Sequence, residues 1–160
     1  MSKGAGPSAA VRRASVADAP DVAQLLYDFN TEFSEPTPDV AVLAERLERL
    51  LADGDDGTVL LVGDEPDGLA QIRFRYSLYS GALDAYLEEL YVAPAHRGHG
   101  MGRALLEAAM DAACTQGATR MELVTSEDDT AARGLYESLG FSNREGRPDG
   151  PVMFFYEREL

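Results

Sequence analysis

The stretch of this chain that most restricts its fold is a glycine-rich loop that leads directly into a helix-forming segment. In APAHRGHGMGRALLEAA, residues 93–109, Gly98, Gly100 and Gly102 alternate between Arg97 and Arg103. An ordinary turn needs one or two glycines, because glycine adopts backbone conformations barred to other residues. The unpaired N–H groups at a helix start point toward an anion, and the helix dipole adds about half a positive charge. The stretch therefore predicts a phosphate site at a helix N-terminus.

The distribution of charge supports an anion at this loop. The chain carries 28 acids and 14 bases, a formal net charge of −14 at pH 7. Between Leu90 and Leu106 there is no Asp or Glu, whereas two arginines and both histidines fall inside that window. The overall acidity argues against a nucleic-acid partner, which needs a basic face to displace counterions. It is compatible with a cationic substrate.

Two familiar nucleotide-binding loops do not fit the residues. A P-loop requires Lys and then Ser or Thr after its last glycine, where this chain has Arg103 and Ala104. A dinucleotide-binding fingerprint requires a third glycine where Arg103 stands and a place after the first strand of a βαβ unit. The phosphate belongs to a different ligand class.

The periodicity of apolar residues predicts a mixed α/β domain. We expect strands at 11–14, 58–63, 69–79, 85–92, 121–126 and 151–159, and helices at 21–29, 40–53, 101–116 and 129–140. This order predicts a mixed, mostly antiparallel central sheet with helices on both faces. A right-handed crossover places strand 121–126 parallel to strand 85–92.

Several classes of protein are disfavoured by what the sequence lacks. Residues 1–10, MSKGAGPSAA, have no apolar signal-peptide core, and we expect a disordered leader there. No stretch approaches the roughly 18 apolar residues of a membrane span, so no membrane partner is expected. The single cysteine, Cys114, cannot form an internal disulfide, which fits a cytoplasmic location. Because His96 and His99 are the only histidines, no metal is expected.

Two motifs resemble those of one enzyme family. Arg97, Gly100 and Gly102 satisfy the pattern Arg/Gln-x-x-Gly-x-Gly/Ala, and EELYVAPAHRGHGMGRALLEAA (88–109) resembles the acyl-CoA-binding motif of the GNAT superfamily of N-acetyltransferases. AARGLYESLGF (131–141) resembles that family's second signature, a short helix with a tyrosine before Leu-Gly-Phe. The resemblance implies a single acetyltransferase domain over 11–160, in which the fourth and fifth strands splay apart to admit acetyl-CoA.

The resemblance also implies which residues hold acetyl-CoA, the expected donor. Backbone groups of Leu90, Tyr91 and Val92 pair with the pantetheine amides, much as a peptide adds to a sheet edge. Asp129 stands where many members have an asparagine that touches the pantetheine arm, and a carboxylate can accept a hydrogen bond but not donate one. The pyrophosphate is held by the loop residues Arg97, Gly98, His99, Gly100, Met101, Gly102 and Arg103.

The implied reaction is direct attack of a primary amine on the acetyl thioester. At pH 7 only about one alkylamine in 2,500 is uncharged, so a base must remove a proton. Glu88 and Glu89 are neighbours on one predicted strand and so face opposite sides, which leaves one of them for this role. YLEELYV (86–92) resembles the corresponding stretch of spermidine/spermine acetyltransferases, which favours Glu88 and keeps Glu89 as the alternative. Tyr136 matches the family's general acid.

The acceptor site is less well defined by the sequence. We expect acceptor contacts from Asn30, Glu32, Phe33 and Tyr79, and a small-molecule acceptor that is cationic and polyamine-like. Two other functions stay open: a non-catalytic acetyl-CoA sensor, and acetylation of a protein or peptide amine. The apolar segment VMFFYE (152–157) suits either a homodimer interface or the core of the domain itself.

Overall fold

A computed structural model describes residues 10–54 and 57–160 of the chain. The described residues form two compact units: the first ends at Leu123, and the second runs from Val124 to Leu160. The predicted leader, apart from Ala10, lies outside the described residues. The expectation of a single domain over 11–160 stays a prediction.

The first unit contains its strands and helices in the predicted order. Its elements are β1 (Val11–Arg13), α1 (Ala19–Glu32), α2 (Val40–Asp53), β2 (Gly57–Val62), β3 (Gly68–Tyr76), β4 (Leu83–Val92), α3 (Met101–Thr115) and β5 (Ala118–Leu123). Helix α2 coincides with its predicted bounds and ends at Gly54 in the left-handed conformation, φ +66°. Strand β5 begins three residues before its predicted start.

The five strands form one sheet in the order β1-β2-β3-β4-β5. The first three pairings are antiparallel, and β4 pairs with β5 in parallel. The parallel pair follows from α3, which carries the chain back across the sheet. The predicted mixed, mostly antiparallel sheet is confirmed.

Helices cover both faces of this sheet. All six residues of β2 are buried, which requires a cover on each side. Helices α1 and α2 pack on one face, where Val22 and Leu47 join Leu61 in the core. Helix α3 packs against β2 to β5 and contributes the fully buried Leu105 and Leu106.

The second unit contains α4 (Thr130–Ser138) and a long C-terminal segment. The predicted strand at 151–159 is wrong: the segment forms a single antiparallel bridge between Arg144 and Val152. Pro151 lacks an N–H, and the backbone pairing goes no further than the bond from Met153 N to Asn143 O at 2.8 Å. Apolar alternation shows that a segment suits a strand, but a strand also needs a partner. Phe154 and Phe155 are consequently 75% and 62% exposed.

Candidate active site

Strands β4 and β5 part in the middle of β4. Their pairing runs from Leu83 opposite Ala118 to Leu87 opposite Leu123, where β5 ends. Strand β4 continues for five more residues, Glu88 to Val92, and the last four of them, Glu89 to Val92, pair with β3 on its other side. Among the described pairings, this part of β4 has a strand on one edge only. A free strand edge presents the backbone groups that an extended ligand with amides can pair with.

A β-bulge lies where the two strands part. Gln71 of β3 stands opposite Glu89, and the next residue, Ile72, stands opposite Leu87, so Glu88 is the extra residue. Bulges redirect side chains and are frequent beside active sites. The simple alternation that assigned Glu88 and Glu89 to opposite faces therefore does not hold here.

Glu89 has the electrostatic character of a proton acceptor. Burial, together with the charge of the adjacent Glu88, raises the pKa of Glu89 to about 7. A group whose pKa lies near the working pH exchanges protons most effectively.

A cavity of about 290 Å³ lies on the sheet beside the bulge. Its volume is close to the lower end for small-molecule sites. Polar side chains of three neighbouring strands line it: Arg73 and Arg75 of β3, Asp84, Tyr86 and Glu88 of β4, and Glu122 of β5. Of these, only Glu88 was expected from the sequence. The sequence feature that could have indicated the other five is the occurrence of polar residues at every second position of adjacent strands.

The glycine loop has the conformation that an anion site needs. Gly98 and Gly100 adopt φ of +78° and +82°, and no atom lies within 4 Å of an added Cβ at either position. Glycine is therefore required here for its backbone conformation and not for lack of room. Gly100 is the N-cap of α3 and provides no side chain to bond the first-turn N–H groups. These groups, which include those of Met101 and Gly102, suit an external anion.

The other side chains of the loop are anchored nearby. Arg103 lies in the first turn of α3, 3.6 Å from Glu107. The Nδ1 of His99 lies 3.3 Å from the carbonyl oxygen of His96. The Nε2 of His96 lies 3.2 Å from Asp67. The His96 contact, together with the hydrogen bond from Ala93 N to Asp67 O at 2.8 Å, holds the start of the loop against the turn between β2 and β3.

Replacing Gly100 with alanine is expected to raise the KM for acetyl-CoA at least tenfold without changing the KM for the amine. The left-handed conformation costs a non-glycine residue about 1–2 kcal/mol, so the loop backbone shifts away from the anion. Initial-rate kinetics with each substrate varied in turn measure the effect. Gly117→Ala is the matched control, because Gly117 has φ +88° and equally open surroundings beyond the other end of α3. An equal rise in the KM for acetyl-CoA in both variants would contradict an anion site at the loop.

Arg97 and Glu32, expected in two different sites, bind each other. The Arg97 guanidinium donates to both Glu32 carboxylate oxygens at 2.7 and 2.8 Å, and its Nε donates to the carbonyl of Val92 at 2.9 Å. The Tyr91 hydroxyl donates to Glu32 at 3.2 Å. The hydrogen bonds from Arg97 and, to a smaller extent, its positive charge lower the pKa of Glu32, whereas burial acts to raise it. This network ties the end of α1 to the start of the glycine loop.

The remaining residues expected to contact the acceptor surround α1 and the β3–β4 turn. Asn30 lies in the last turns of α1 and accepts a backbone hydrogen bond from Glu35 at 2.8 Å. Phe33 follows α1 and packs edge-on against Phe29 at 5.3 Å. Tyr79 is fully exposed in the turn between β3 and β4. Their contact with an acceptor stays a prediction.

In the second unit, Tyr136 lies on α4. Burial, together with the charge of Asp129, raises the pKa of Tyr136 to about 12, so its hydroxyl keeps its proton at neutral pH. The Tyr136 ring packs edge-on to Phe141 at 6.0 Å. Asp129 is the N-cap of α4, and its carboxylate accepts a hydrogen bond from Ala132 N at 3.0 Å. The expected contact of Asp129 with pantetheine stays a prediction.

The residues that the structure describes contain neither a metal-binding cluster nor a membrane-spanning helix. No group of three or more His, Cys, Asp or Glu side chains suited to a metal ion occurs among them. Nor does any of the described helices combine the length and apolarity needed to cross a membrane.

Known proteins resemble this chain in both sequence and structure. The profile of the "Acetyltransferase (GNAT) family" matches residues 20–141. A crystal structure of a putative acetyltransferase from Arthrobacter sp. FB24 superposes with a TM-score of 0.88 at 45% identity, covering 99% of this chain and 100% of that one. Aminoglycoside N(6')-acetyltransferase type 1 from Stenotrophomonas maltophilia is 30% identical over 84% of this chain and 87% of its own length. N-alpha-acetyltransferase 40 from Saccharomyces cerevisiae is 46% identical over 70 residues, which are 39% of this chain but only 25% of that protein.

Proposed function

The chain belongs to the GNAT family and is an acyl-CoA-dependent N-acetyltransferase, and we propose that it acetylates a primary amine of a small molecule by direct attack. The observation that carries this proposal is the parting of β4 and β5 after Leu87, beside a cavity that contains Glu88. A free strand edge and a polar cavity at one point suit a two-substrate reaction. The donor uses the strand edge, and the amine uses the cavity.

The residues present fit acetyl-CoA as the donor. The free edge of Leu90, Tyr91 and Val92 offers backbone groups to the pantetheine amides. The left-handed Gly98 and Gly100 and the uncapped first turn of α3 offer N–H groups to the pyrophosphate. Arg97, bound to Glu32, holds this loop in place and leaves the phosphates to the backbone.

The chemistry combines one acyl transfer with proton transfers at both reacting atoms: a primary ammonium loses two protons on becoming an amide, and the leaving thiolate gains one. Acetyl-CoA supplies the acetyl group: the amine nitrogen bonds to the acetyl carbon, the carbon–sulfur bond breaks, and the sulfur leaves as a thiolate. Glu88, which lines the cavity, accepts the amine proton through a water molecule. Tyr136, whose raised pKa keeps it protonated, donates a proton to the thiolate and regains one from the nitrogen, which loses its second proton as the amide forms. Glu89 competes with Glu88 as the base on the strength of its pKa of about 7.

The acidic side chains of the cavity support an amine as the acceptor. Asp84, Glu88 and Glu122 present three carboxylates to a group that arrives as an ammonium ion. One relative of this chain is an aminoglycoside N-acetyltransferase, whose acceptor is also an amine-bearing small molecule. The small volume of the cavity, about 290 Å³, favours a small molecule over a folded protein surface.

Release of CoA thiol in the presence of different amines tests the proposed function. The panel contains polyamines, diamino acids, an aminoglycoside and lysine peptides, each with acetyl-CoA, and mass spectrometry identifies the product. The proposal predicts thiol release that requires an amine and matches the N-acetyl product one to one. If acetyl-CoA binds but no small amine gives thiol release, the proposal is wrong, and either the sensor or a peptide acceptor takes its place.

We also propose that the protein acts in the cytoplasm as a homodimer. The single cysteine supports a reducing compartment. The exposed apolar residues of segment 152–157 support an interface, because soluble monomers rarely expose contiguous apolar patches of large size. Native mass spectrometry of the full chain, compared with a Phe154→Ser/Phe155→Ser variant, tests the dimer.

A further inference from the structure

The cavity beside the bulge has a charge composition that an ammonium group alone does not explain. Three carboxylates line it, but so do two guanidinium groups, those of Arg73 and Arg75. The chain has two acids for every base, so two arginines facing one small cavity are not a consequence of composition. A polyamine-like acceptor, which carries only positive charge, would be repelled by both.

The two arginines are arranged to act on one ligand. They lie two residues apart on β3, and residues at this spacing project from the same face of a strand. Their guanidinium groups present planar pairs of N–H donors, the geometry that binds a carboxylate through two parallel hydrogen bonds.

The contacts of these arginines within the protein are exposed to solvent. Arg73 lies 3.6 Å from Glu88, and Arg75 donates hydrogen bonds to Asp84 at 3.4 Å and to Glu122 at 3.2 Å. The two side chains are 54% and 68% exposed. Ion pairs this exposed contribute little to stability, so an arriving carboxylate can rearrange them at little cost.

The carboxylates occupy the complementary positions. Glu88 lies at the bulge, where β4 becomes free for the donor, and Asp84 and Glu122 lie farther along the paired part of β4 and β5. An acceptor that bridges the cavity thus meets an acid at the reacting end and the arginine pair along β3.

We infer that the acceptor is an amphoteric amine, that is, a small molecule that carries both a primary amine and a free carboxylate, as a free diamino acid does. This inference rests on the proposed function and names its substrate class. Glu88 receives the ammonium group, while Arg73 and Arg75 bind the carboxylate of the same molecule.

Three matched acceptors test the inference: lysine, lysinamide, whose carboxylate is blocked, and cadaverine, which lacks it. The wild-type kcat/KM, measured by thiol release, is expected to be at least tenfold higher for lysine than for the other two. Arg73→Gln and Arg75→Gln are each expected to lower kcat/KM for lysine about tenfold and to leave that for cadaverine equal or higher. Arg49→Gln, which removes an exposed positive charge on α2, is the matched control and should change neither.

The outcomes separate the inference from the proposed function. The inference is overturned if wild type prefers cadaverine or lysinamide, or if the Arg73 and Arg75 variants lose activity equally on all three amines. It is also overturned if only an amine without a carboxylate, such as an aminoglycoside, is acetylated, while the proposed function then stands. If no small amine yields thiol, the proposed function itself fails. The KM for acetyl-CoA in each variant reports whether the donor site is still folded.

Discussion

Replacing Tyr136 with phenylalanine is expected to lower kcat by about 10²- to 10³-fold, with the KM for either substrate changed less than threefold. The substitution removes one hydroxyl, and with it the proton that the leaving thiolate receives. Because burial and Asp129 raise the pKa of Tyr136 to about 12, the wild-type hydroxyl is protonated throughout the neutral range. Loss of activity should therefore be the same at every pH from 6 to 9, as measured by steady-state thiol release.

Tyr156→Phe is the matched control for this prediction. It removes the same atom from an exposed tyrosine in the same C-terminal unit and should leave kcat unchanged. A Tyr136→Phe enzyme with wild-type kcat would show that Tyr136 is not the acid. The ring would then serve only to pack against Phe141.

Replacing Glu88 with glutamine is expected to lower kcat/KM for the amine at least 10²-fold, because the base in the cavity is lost. Glu89→Gln is expected to cost less than tenfold. The pH dependence of kcat distinguishes the two bases. If Glu89 were the base, kcat would rise with pH through about 7, where Glu89 ionises, and Glu89→Gln would abolish this limb.

The two glutamates are coupled, which gives a second test. The charge of Glu88 is one cause of the raised pKa of Glu89, so Glu88→Gln should move any limb that belongs to Glu89 toward lower pH. Glu48→Gln, at an exposed position on α2, controls for the change in net charge. If Glu89→Gln has the larger effect and removes a limb near pH 7, Glu89 replaces Glu88 as the proposed base.

Local features of the fold could be predicted well from the sequence. Helix α2 has an apolar stripe and a glycine at its end, both of which act within a few residues, and its predicted bounds match the structure. The glycine loop could be predicted for the same reason, since Gly98 and Gly100 require their conformations wherever the rest of the chain lies. The mixed sheet follows from the order of elements and the handedness of the crossover.

Features that depend on distant residues could not be predicted in this way. The bulge at Glu88 depends on the register between β3 and β4, which sequence alternation within β4 does not contain. The pair of Arg97 and Glu32 joins residues 65 positions apart. The segment at 151–159 has the apolar alternation of a strand, but the structure gives it only the bridge to Arg144, so the predicted strand does not form. The arginines of the cavity look like the solvent face of β3 until the neighbouring carboxylates are placed beside them.

A crystal structure of the protein with bound CoA tests the central claim most directly. The account predicts pantetheine amides within hydrogen-bond distance of the Leu90–Val92 backbone, on the edge that β5 leaves free. It also predicts pyrophosphate oxygens on the backbone N–H groups of residues 98–103, with the sulfur next to the cavity that contains Glu88. CoA bound elsewhere, with this strand edge and the glycine loop unoccupied, would contradict it.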